Sequence, residues 1–337
     1  MKIHPRPFDV VYSCENLYLA WYKVSKGKTK NTSIINFYRN LDQNLALIAQ
    51  DLRNGTYIPG PYNQFLIKDP KERIISASAI RDRVVQHALM NLYDPVFDRS
   101  QIFDSYACRR KKGTQKSVLR AFHFSKCFKT SGAYFLKMDV RKYFNSIDHE
   151  ILKRLISKII KDGRALQLFT TIIDSKNSAS LKGIPIGNLT SQYFANHYLA
   201  AFDHYLKEKL HVKKYIRYMD DMLIFSDSKT ALKSLYQEAL NYTAEKLNLT
   251  LKPAIIDSAD KGAPFLGFLI KPRGIFLQKK SKKRYVLRLK EIEQKRGLGL
   301  LSDLEAGIRI TAVSAHLLLA QSRNFRNSIL GGRVPGN

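Results

Sequence analysis

A pair of adjacent acidic residues enclosed by apolar sequence constrains this chain more than any other feature. Residues 215–218 read Tyr-Ile-Arg-Tyr, Asp220 and Asp221 follow after one methionine, and residues 222–225 read Met-Leu-Ile-Phe. This pattern predicts two short strands with the acidic pair at the tip between them. Adjacent carboxylates beside apolar strands are costly unless water or a cation receives them. The pair is therefore either a solvated hairpin turn, where Asp is common, or a site for Mg²⁺, which prefers carboxylate oxygens.

The charge of the chain points to a polyanionic partner. Its 57 Lys and Arg residues outnumber 28 Asp and Glu residues, which gives a net charge of +29. Residues 105–130 contain eight basic and no acidic residues, and residues 271–296 contain eleven basic and two acidic residues. A membrane surface attracts the same charge, but no amphipathic anchor, lipidation signal or spanning apolar run accompanies it. We therefore expect nucleic acid as the partner and no membrane association.

The length of the chain limits the number of folded units, and its cysteines indicate the redox state of its cellular compartment. A chain of 337 residues with 45% hydrophobic residues is enough for about two or three packed units. Cys14, Cys108 and Cys127 lie far apart without the spacing of a zinc site, and residues 1–7 lack the apolar region of a signal peptide. These features predict a reducing, intracellular setting.

Hydrophobic periodicity predicts a mixed α and β chain. We expect helices within residues 8–55, from Ala79 onwards, and at residues 151–159, 194–206, 232–247 and 283–296, with one or two more in residues 302–330. We expect extended segments between residues 57 and 76, and strands at residues 134–138, 248–252 and 265–270 in addition to the two arms of the acidic hairpin. Asp139 ends one of these apolar strands, a position where mixed folds place ligands.

Three segments in this order resemble the palm motifs of reverse transcriptases. They are Phe135-Leu-Lys-Met-Asp-Val-Arg-Lys-Tyr-Phe144, Pro185-Ile-Gly-Asn-Leu-Thr-Ser-Gln192 and Tyr218-Met-Asp-Asp221. The stretch Phe265-Leu-Gly-Phe268 is similar to the primer-grip motif of the same family, and the resemblance covers residues 45–330. It implies an α+β right-hand polymerase fold with an antiparallel palm sheet and a helical, basic thumb. The implied domains are an N-terminal helical extension at 1–44, fingers with part of the palm at 45–130, the palm at 131–274 and the thumb at 275–337.

The resemblance implies an RNA-directed DNA polymerase, which is a nucleotidyltransferase. Asp139, Asp220 and Asp221 would be the catalytic residues and would hold two Mg²⁺ ions, with Mn²⁺ as a substitute, and Val140 would add a backbone carbonyl. In such sites two ions about 3.5–4 Å apart stabilise both the attacking and the leaving oxygens of an in-line displacement. The required partners would be an RNA template, a DNA or RNA primer and deoxynucleoside triphosphates.

Further residues match nucleotide-contacting positions of the family. Guanidinium groups bind phosphate oxygens bidentately, and Phe144 aligns with the steric gate that excludes a ribose 2′-hydroxyl. Lys252 would protonate the leaving pyrophosphate. Taken alone, the arginines would form a solvated face and Phe144 would pack in the core. The expected nucleotide-binding residues are Arg73, Arg81, Arg83, Arg109, Phe144, Ile186 and Gly187.

The central loop indicates a subgroup. Most reverse transcriptases carry Gln-Gly and Ser-Pro where this chain has Ile186-Gly187 and Ser191-Gln192, the pattern of diversity-generating retroelements of bacteria and phages. Isoleucine cannot donate the hydrogen bonds of a Gln, so we expect error-prone cDNA synthesis. This reading implies a bacterial or phage-encoded cytoplasmic enzyme with a structured noncoding RNA and an accessory protein as partners.

Two other functions agree with the same residues. One is a reverse transcriptase of antiphage (antiviral) defence, which makes cDNA from a dedicated noncoding RNA and has the same palm. The other is a catalytically inactive palm that serves as an RNA-binding scaffold. The complete set of three aspartates favours an enzyme over the scaffold, and gene neighbours would distinguish diversification from defence.

Overall fold

The computed structural model describes residues 8–28, 30–68, 72–128, 132–176 and 181–330. The helices are α1 Cys14–Ser25, α2 Thr32–Arg39, α3 Leu41–Asn54, α4 Ile80–Arg99, α5 Thr114–Lys126, α6 Tyr143–Ser146, α7 His149–Ile159, α8 Gly163–Asp174, α9 Leu189–His204, α10 Lys229–Leu247, α11 Lys279–Gly297, α12 Asp303–Ala315 and α13 Arg323–Leu330. The strands are β1 Asn63–Ile67, β2 Arg73–Ala77, β3 Tyr134–Asp139, β4 Tyr215–Tyr218, β5 Asp221–Ser226, β6 Ile255–Ser258, β7 Ala263–Phe265, β8 Phe268–Lys271 and β9 Gly274–Leu277. None of the described helices is long and apolar enough to cross a membrane. Predicted segments and domains also include residues 1–7, 29, 69–71, 129–131, 177–180 and 331–337, which lie outside the described residues.

Side-chain caps set the start of several helices. The Asp148 carboxylate accepts hydrogen bonds from the backbone N–H groups of Glu150 and Ile151 at the start of α7. Ser302 and Glu305 form a reciprocal capping box at the start of α12. These side chains satisfy backbone donors that have no partner within the helix.

The described residues form two compact units, and each is built from separate stretches of the chain. The first unit lies within Met1–Phe103, Val140–Leu210 and Asn241–Thr250, and the second within Asp104–Asp139, His211–Leu240 and Leu251–Asn337. The predicted boundaries of extension, fingers, palm and thumb stay predictions.

The core of the first unit is helical. Helix α4 packs against both α1 and α9. The ring of Phe169 in α8 lies 5.7 Å from Phe97 of α4 and 6.0 Å from Phe194 of α9, both in edge-on geometry. Such aromatic pairs bury large apolar areas, so they fix these three helices around one centre. The same unit contains the antiparallel hairpin β1–β2.

The second unit is built on two antiparallel sheets. The larger has the strand order β4-β5-β3-β6, and the smaller has the order β7-β8-β9. Phe135 of β3 and Phe225 of β5 are directly opposite each other, and both lie in one buried cluster with Phe268 of β8 and Tyr285 of α11. Because side chains alternate along a strand, Lys137 and Asp139 lie on the same face as Phe135. The apolar core is therefore continuous with a polar edge at the end of β3.

Most of the helices and strands expected from the sequence are confirmed, but the predictions of two strands are wrong. Residues 248–252 form no continuous strand, because Asn248 has a φ of 51° and strand-like pairing is confined to a bridge at Leu251, where the N–H of Lys252 donates to the carbonyl of Asp139. The run at residues 265–270 is a hairpin rather than one strand, because the chain reverses at Leu266 and Gly267, with φ of 47° and 89°. A short apolar run does not distinguish a strand from a hairpin whose turn carries an apolar residue.

Candidate active site

Asp139 lies 81 residues before Asp220 in the sequence. Strand pairing nevertheless brings Asp139 next to Asp221, the residue that follows Asp220. Asp139 at the end of β3 is the direct antiparallel partner of Asp221 at the start of β5, and opposed residues have Cβ atoms about 4.5–5.5 Å apart on the same face of the sheet. Tyr218 of β4 pairs with Asp221 on the other side. Asp220 therefore lies in the two-residue turn, and the predicted acidic hairpin is confirmed.

A buried arginine holds this turn. Met219, the first residue of the turn, has a φ of 56°, a conformation that is uncommon for residues other than glycine. The carbonyl of Met219 accepts a hydrogen bond of 3.0 Å from the Arg217 guanidinium, and the Arg217 side chain is fully buried. Sequence reasoning missed this residue. A charged residue inside an apolar strand could have identified it, because a buried charge needs a partner.

Two lysines neutralise the opposed carboxylates. Lys137 Nζ lies 2.8 Å from Asp221 Oδ1, and Lys252 Nζ lies 2.6 Å from Asp139 Oδ1. The backbone N–H of Lys252 also donates to the carbonyl of Asp139 at 2.8 Å. Lys252 was expected near the site and Lys137 was not. The two-residue spacing from Lys137 to Asp139 in one strand was the available signal.

The charged form of Asp221 is disfavoured although Lys137 contacts it. Burial raises the pKa of Asp221 to about 6, and the charges of Asp139 and Asp220 raise it as well, whereas Lys137 lowers it. A carboxyl whose charged form is disfavoured in this way gains most from a further cation.

The donor set fits a hard divalent cation, although no preformed cage holds one. Within the described ranges, no group of three or more His, Cys, Asp or Glu side chains is arranged to bind a metal ion. One oxygen of each opposed carboxylate, Oδ1 of Asp139 and Oδ1 of Asp221, contacts a lysine. Carboxylate oxygens are nevertheless the ligands that Mg²⁺ prefers, usually with water and substrate phosphates completing its shell.

Arg73 and Ile186 line one cavity of the first unit. The cavity has a volume of about 670 Å³ and is also lined by the basic residues Lys142 and Lys176. The loop that carries Ile186 is fixed by a hydrogen bond of 2.8 Å from the N–H of Ser76 to the Ile186 carbonyl. Three cations and one carboxylate, that of Glu72, line this space, so its lining carries a net positive charge.

Gly187 is required by the same loop. It has a φ of 119°, and a Cβ there would lie 2.8 Å from Cγ2 of Ile75. Only a residue without a side chain adopts this conformation and allows strand β2 to approach so closely.

Arg81 already has partners within the first unit. Its guanidinium forms an ion pair with Asp51, donates to the carbonyl of Ile58 at 3.1 Å and lies 5.0 Å from the centroid of the Tyr57 ring. The predicted contact of Arg81 with a triphosphate stays a prediction, and it would require exchange of these partners.

The remaining predicted residues also stay predictions. Arg83 donates to the carbonyl of Ser78 at 2.9 Å, and Arg109, in the second unit, donates to the carbonyl of Ser105 at 3.0 Å. Phe144 is half-buried. Val140, the residue after Asp139, is buried.

Comparison with known sequences identifies related proteins. The profile of the family described as reverse transcriptase (RNA-dependent DNA polymerase) matches residues 67–270, which is more than half of the chain. The chain is 23% identical to protein YkfC of Escherichia coli (strain K12), over 82% of each protein. It is 26% identical to the group II intron-encoded protein LtrA of Lactococcus lactis subsp. cremoris, over 49% of this chain and 28% of LtrA.

Comparison with solved structures shows the fold. The apo telomerase of Candida Tropicalis superposes with a TM-score of 0.51 at 12% identity, over 72% of this chain and 53% of that chain. The same telomerase with a fragment of telomeric RNA gives a TM-score of 0.52 at 12% identity, over 86% of this chain and 58% of that chain. The expected α+β right-hand polymerase fold is confirmed.

Proposed function

The chain belongs to the reverse transcriptase family of RNA-directed DNA polymerases, and from this premise we propose that it synthesises cDNA by nucleotidyl transfer at the acidic edge of its larger sheet. One observation carries the proposal. Asp139 is paired across the sheet with Asp221, next to Asp220, so the three carboxylates predicted to be catalytic share one edge.

The residues of this edge have distinct roles in the proposed mechanism. Asp139, Asp220 and Asp221, with the carbonyl of Val140, would hold two Mg²⁺ ions or Mn²⁺ in their place. Bound ions of this kind stabilise negative charge on the attacking 3′-hydroxyl oxygen and on the leaving pyrophosphate. Lys252, whose Nζ lies 2.6 Å from Asp139 Oδ1, would give a proton to the pyrophosphate.

The cavity of the first unit supports a role in nucleotide binding. Arg73 would bind the triphosphate, with Arg81, Arg83 and Arg109 as further candidates, because guanidinium groups match phosphate oxygens. Phe144 would exclude a ribose 2′-hydroxyl.

We also propose that synthesis is error-prone, as in a diversity-generating retroelement. Ile186 is half-buried and lines the cavity with Arg73, and its side chain offers no hydrogen bond to a base pair. Each absent contact of this kind removes about 0.5–1.5 kcal/mol of discrimination. A structured noncoding RNA, an accessory protein and a cytoplasmic location in a bacterium belong to the same proposal.

Primer extension by the full chain tests the polymerase. RNA template, DNA primer, deoxynucleoside triphosphates and Mg²⁺ should give a DNA product, and Asp221→Asn should abolish it. Asp227→Asn, which removes an equal charge from an exposed residue beyond the other end of β5, should retain it. No product from the wild type, where a control polymerase extends, would leave an RNA-binding scaffold.

Sequencing of the cDNA tests the fidelity proposal. Ile186→Gln should lower the misincorporation rate several-fold relative to wild type, because the amide restores a donor and an acceptor at the base pair. An unchanged error spectrum would count against the role given to Ile186.

A further inference from the structure

Three separate segments of the first unit meet at the hydroxyl group of Tyr62. Tyr62 directly precedes β1, Ser175 directly follows α8, and Asn188 lies in the loop that leads into α9. Asn188 Nδ2 lies 3.2 Å from the Tyr62 hydroxyl oxygen, and Ser175 Oγ lies 2.6 Å from it. One phenol therefore links a hairpin, a loop and a helix end that are far apart in the sequence.

The direction of these hydrogen bonds follows from Ser175. Its hydroxyl has one hydrogen, which it donates to the carbonyl of Ile172 at 2.6 Å. The Tyr62 hydroxyl therefore donates to Ser175 and accepts from the amide of Asn188. Asn188 is only 3% exposed, so its amide has no water to replace the phenol oxygen. Removal of that oxygen would leave a buried donor without its partner, which is costly.

Each of the three linked segments carries a residue that lines the cavity of the first unit. Arg73 belongs to the hairpin, Ile186 belongs to the loop, and Lys176 is the residue after Ser175. Tyr62 does not line the cavity. Its hydroxyl can therefore influence a ligand there only through the positions of these lining residues.

The hairpin also holds the loop at a second point. The N–H of Ser76 in β2 donates to the carbonyl of Ile186 at 2.8 Å. Ser76 is directly opposite Gln64, which lies two residues after Tyr62. A single hydrogen bond would let the loop pivot about that bond, whereas a second contact at Tyr62 fixes its orientation against the hairpin.

We propose that Tyr62 is a positioning residue for the incoming nucleotide, an inference that rests on the proposed function. Its hydroxyl sets the separation of Arg73, Ile186 and Lys176. The two cations then meet the triphosphate without prior rearrangement of the cavity. A site that is preorganised in this way loses less conformational entropy when its ligand binds.

Nucleotide kinetics of the full chain in primer extension test the proposal. Tyr62→Phe removes only the hydroxyl and should raise the KM for deoxynucleoside triphosphate about three- to tenfold. The kcat should stay within about twofold of the wild type, because the lost contact affects the bound nucleotide before and during the reaction alike. As a matched control, Tyr193→Phe removes a half-buried hydroxyl that donates to Asp94 at 3.0 Å in the same unit. Tyr193 does not line the cavity, so the KM should stay within about twofold of the wild type.

A double-mutant cycle separates positioning from a general loss of stability. Ser175→Ala removes the group that accepts the Tyr62 proton and should raise the KM in the same direction. Because both substitutions break one chain of hydrogen bonds, the double variant should have no larger KM than Tyr62→Phe alone. An additive rise in KM, a KM that Tyr62→Phe leaves unchanged, or a fall in kcat at unchanged KM would overturn the proposal.

Equilibrium binding separates this inference from the proposed function. Calorimetry measures the affinity for dTTP in the presence of Mg²⁺, an RNA template and a primer that lacks a 3′-hydroxyl. A wild type that binds dTTP several-fold more tightly than Tyr62→Phe, but extends no ordinary primer, would refute only the polymerase. A wild type that extends a primer while Tyr62→Phe keeps its KM would refute only the role of Tyr62.

Discussion

Replacement of Asp221 by Asn should stabilise the metal-free protein at neutral pH. Burial raises the pKa of this carboxyl from 3.8 to about 6, and its side chain is only 22% exposed. This rise in pKa means that the charged form of Asp221 destabilises the fold by about 3 kcal/mol. Asn has the shape of the protonated acid and avoids the cost of burying a charge. The raised pKa of Asp221 already includes the favourable ion pair with Lys137, so the loss of that pair needs no separate correction.

The pH dependence follows from the direction of the shift. Because the pKa of Asp221 in the folded state lies above its unfolded value, its contribution to stability is complete below pH 3.8 and is lost as pH rises through about 6. The wild type should therefore lose up to about 3 kcal/mol of unfolding free energy from this group across that range. Asp221→Asn should lose none of it, and the two proteins should converge in acid.

Urea unfolding in EDTA at pH 7.5 and pH 4.5 measures both quantities. Groups that do not interact with Asp221 titrate alike in the two proteins, so the difference reports Asp221 together with its neighbours Lys137, Asp139 and Asp220. Asp227→Asn, at an exposed position, should change stability by no more than about 0.5 kcal/mol at either pH. If Asp221→Asn were no more stable than wild type at pH 7.5, or if the gap were the same at both pH values, the reasoning from burial would be refuted.

Three further predictions concern the same two units. Arg217→Met should destabilise the protein by about 1–3 kcal/mol in urea, because the Met219 carbonyl loses its donor. In primer extension it should lower kcat by a larger factor than it changes the KM for nucleotide. Gly187→Ala should cost about 1–3 kcal/mol through its positive φ and its close contact with Ile75, whereas Gly163→Ala, with open space around it, should not lower the unfolding midpoint. Mg²⁺ at 100 times its dissociation constant should stabilise wild type by about 2.7 kcal/mol and stabilise Asp221→Asn less, as measured by thermal unfolding.

The sequence predicted those strands and helices whose apolar residues recur at regular spacing. The two arms of the acidic hairpin and the amphipathic helix α11 follow from alternating and helical spacing, which are properties of neighbouring residues. The bond from Lys137 to Asp221 depends instead on the register between β3 and β5, which no local pattern contains. The turn at Leu266 was missed for a related reason, since its apolar side chain packs against the core of the second unit and hides a reversal that polar residues usually mark.

The contacts of Lys137 and Lys252 imply that their ammonium groups would compete with a divalent ion for carboxylate oxygens, and dilution of the protein would not weaken this competition. Each ammonium is tethered to the same fold as the carboxylate it touches, and short tethers give effective concentrations on the order of millimolar or above. A divalent ion that bound here would therefore have to displace both ammonium groups from the same carboxylate oxygens. Removal of either ammonium group, for example by Lys137→Ala, should therefore give a measurable gain in ion affinity.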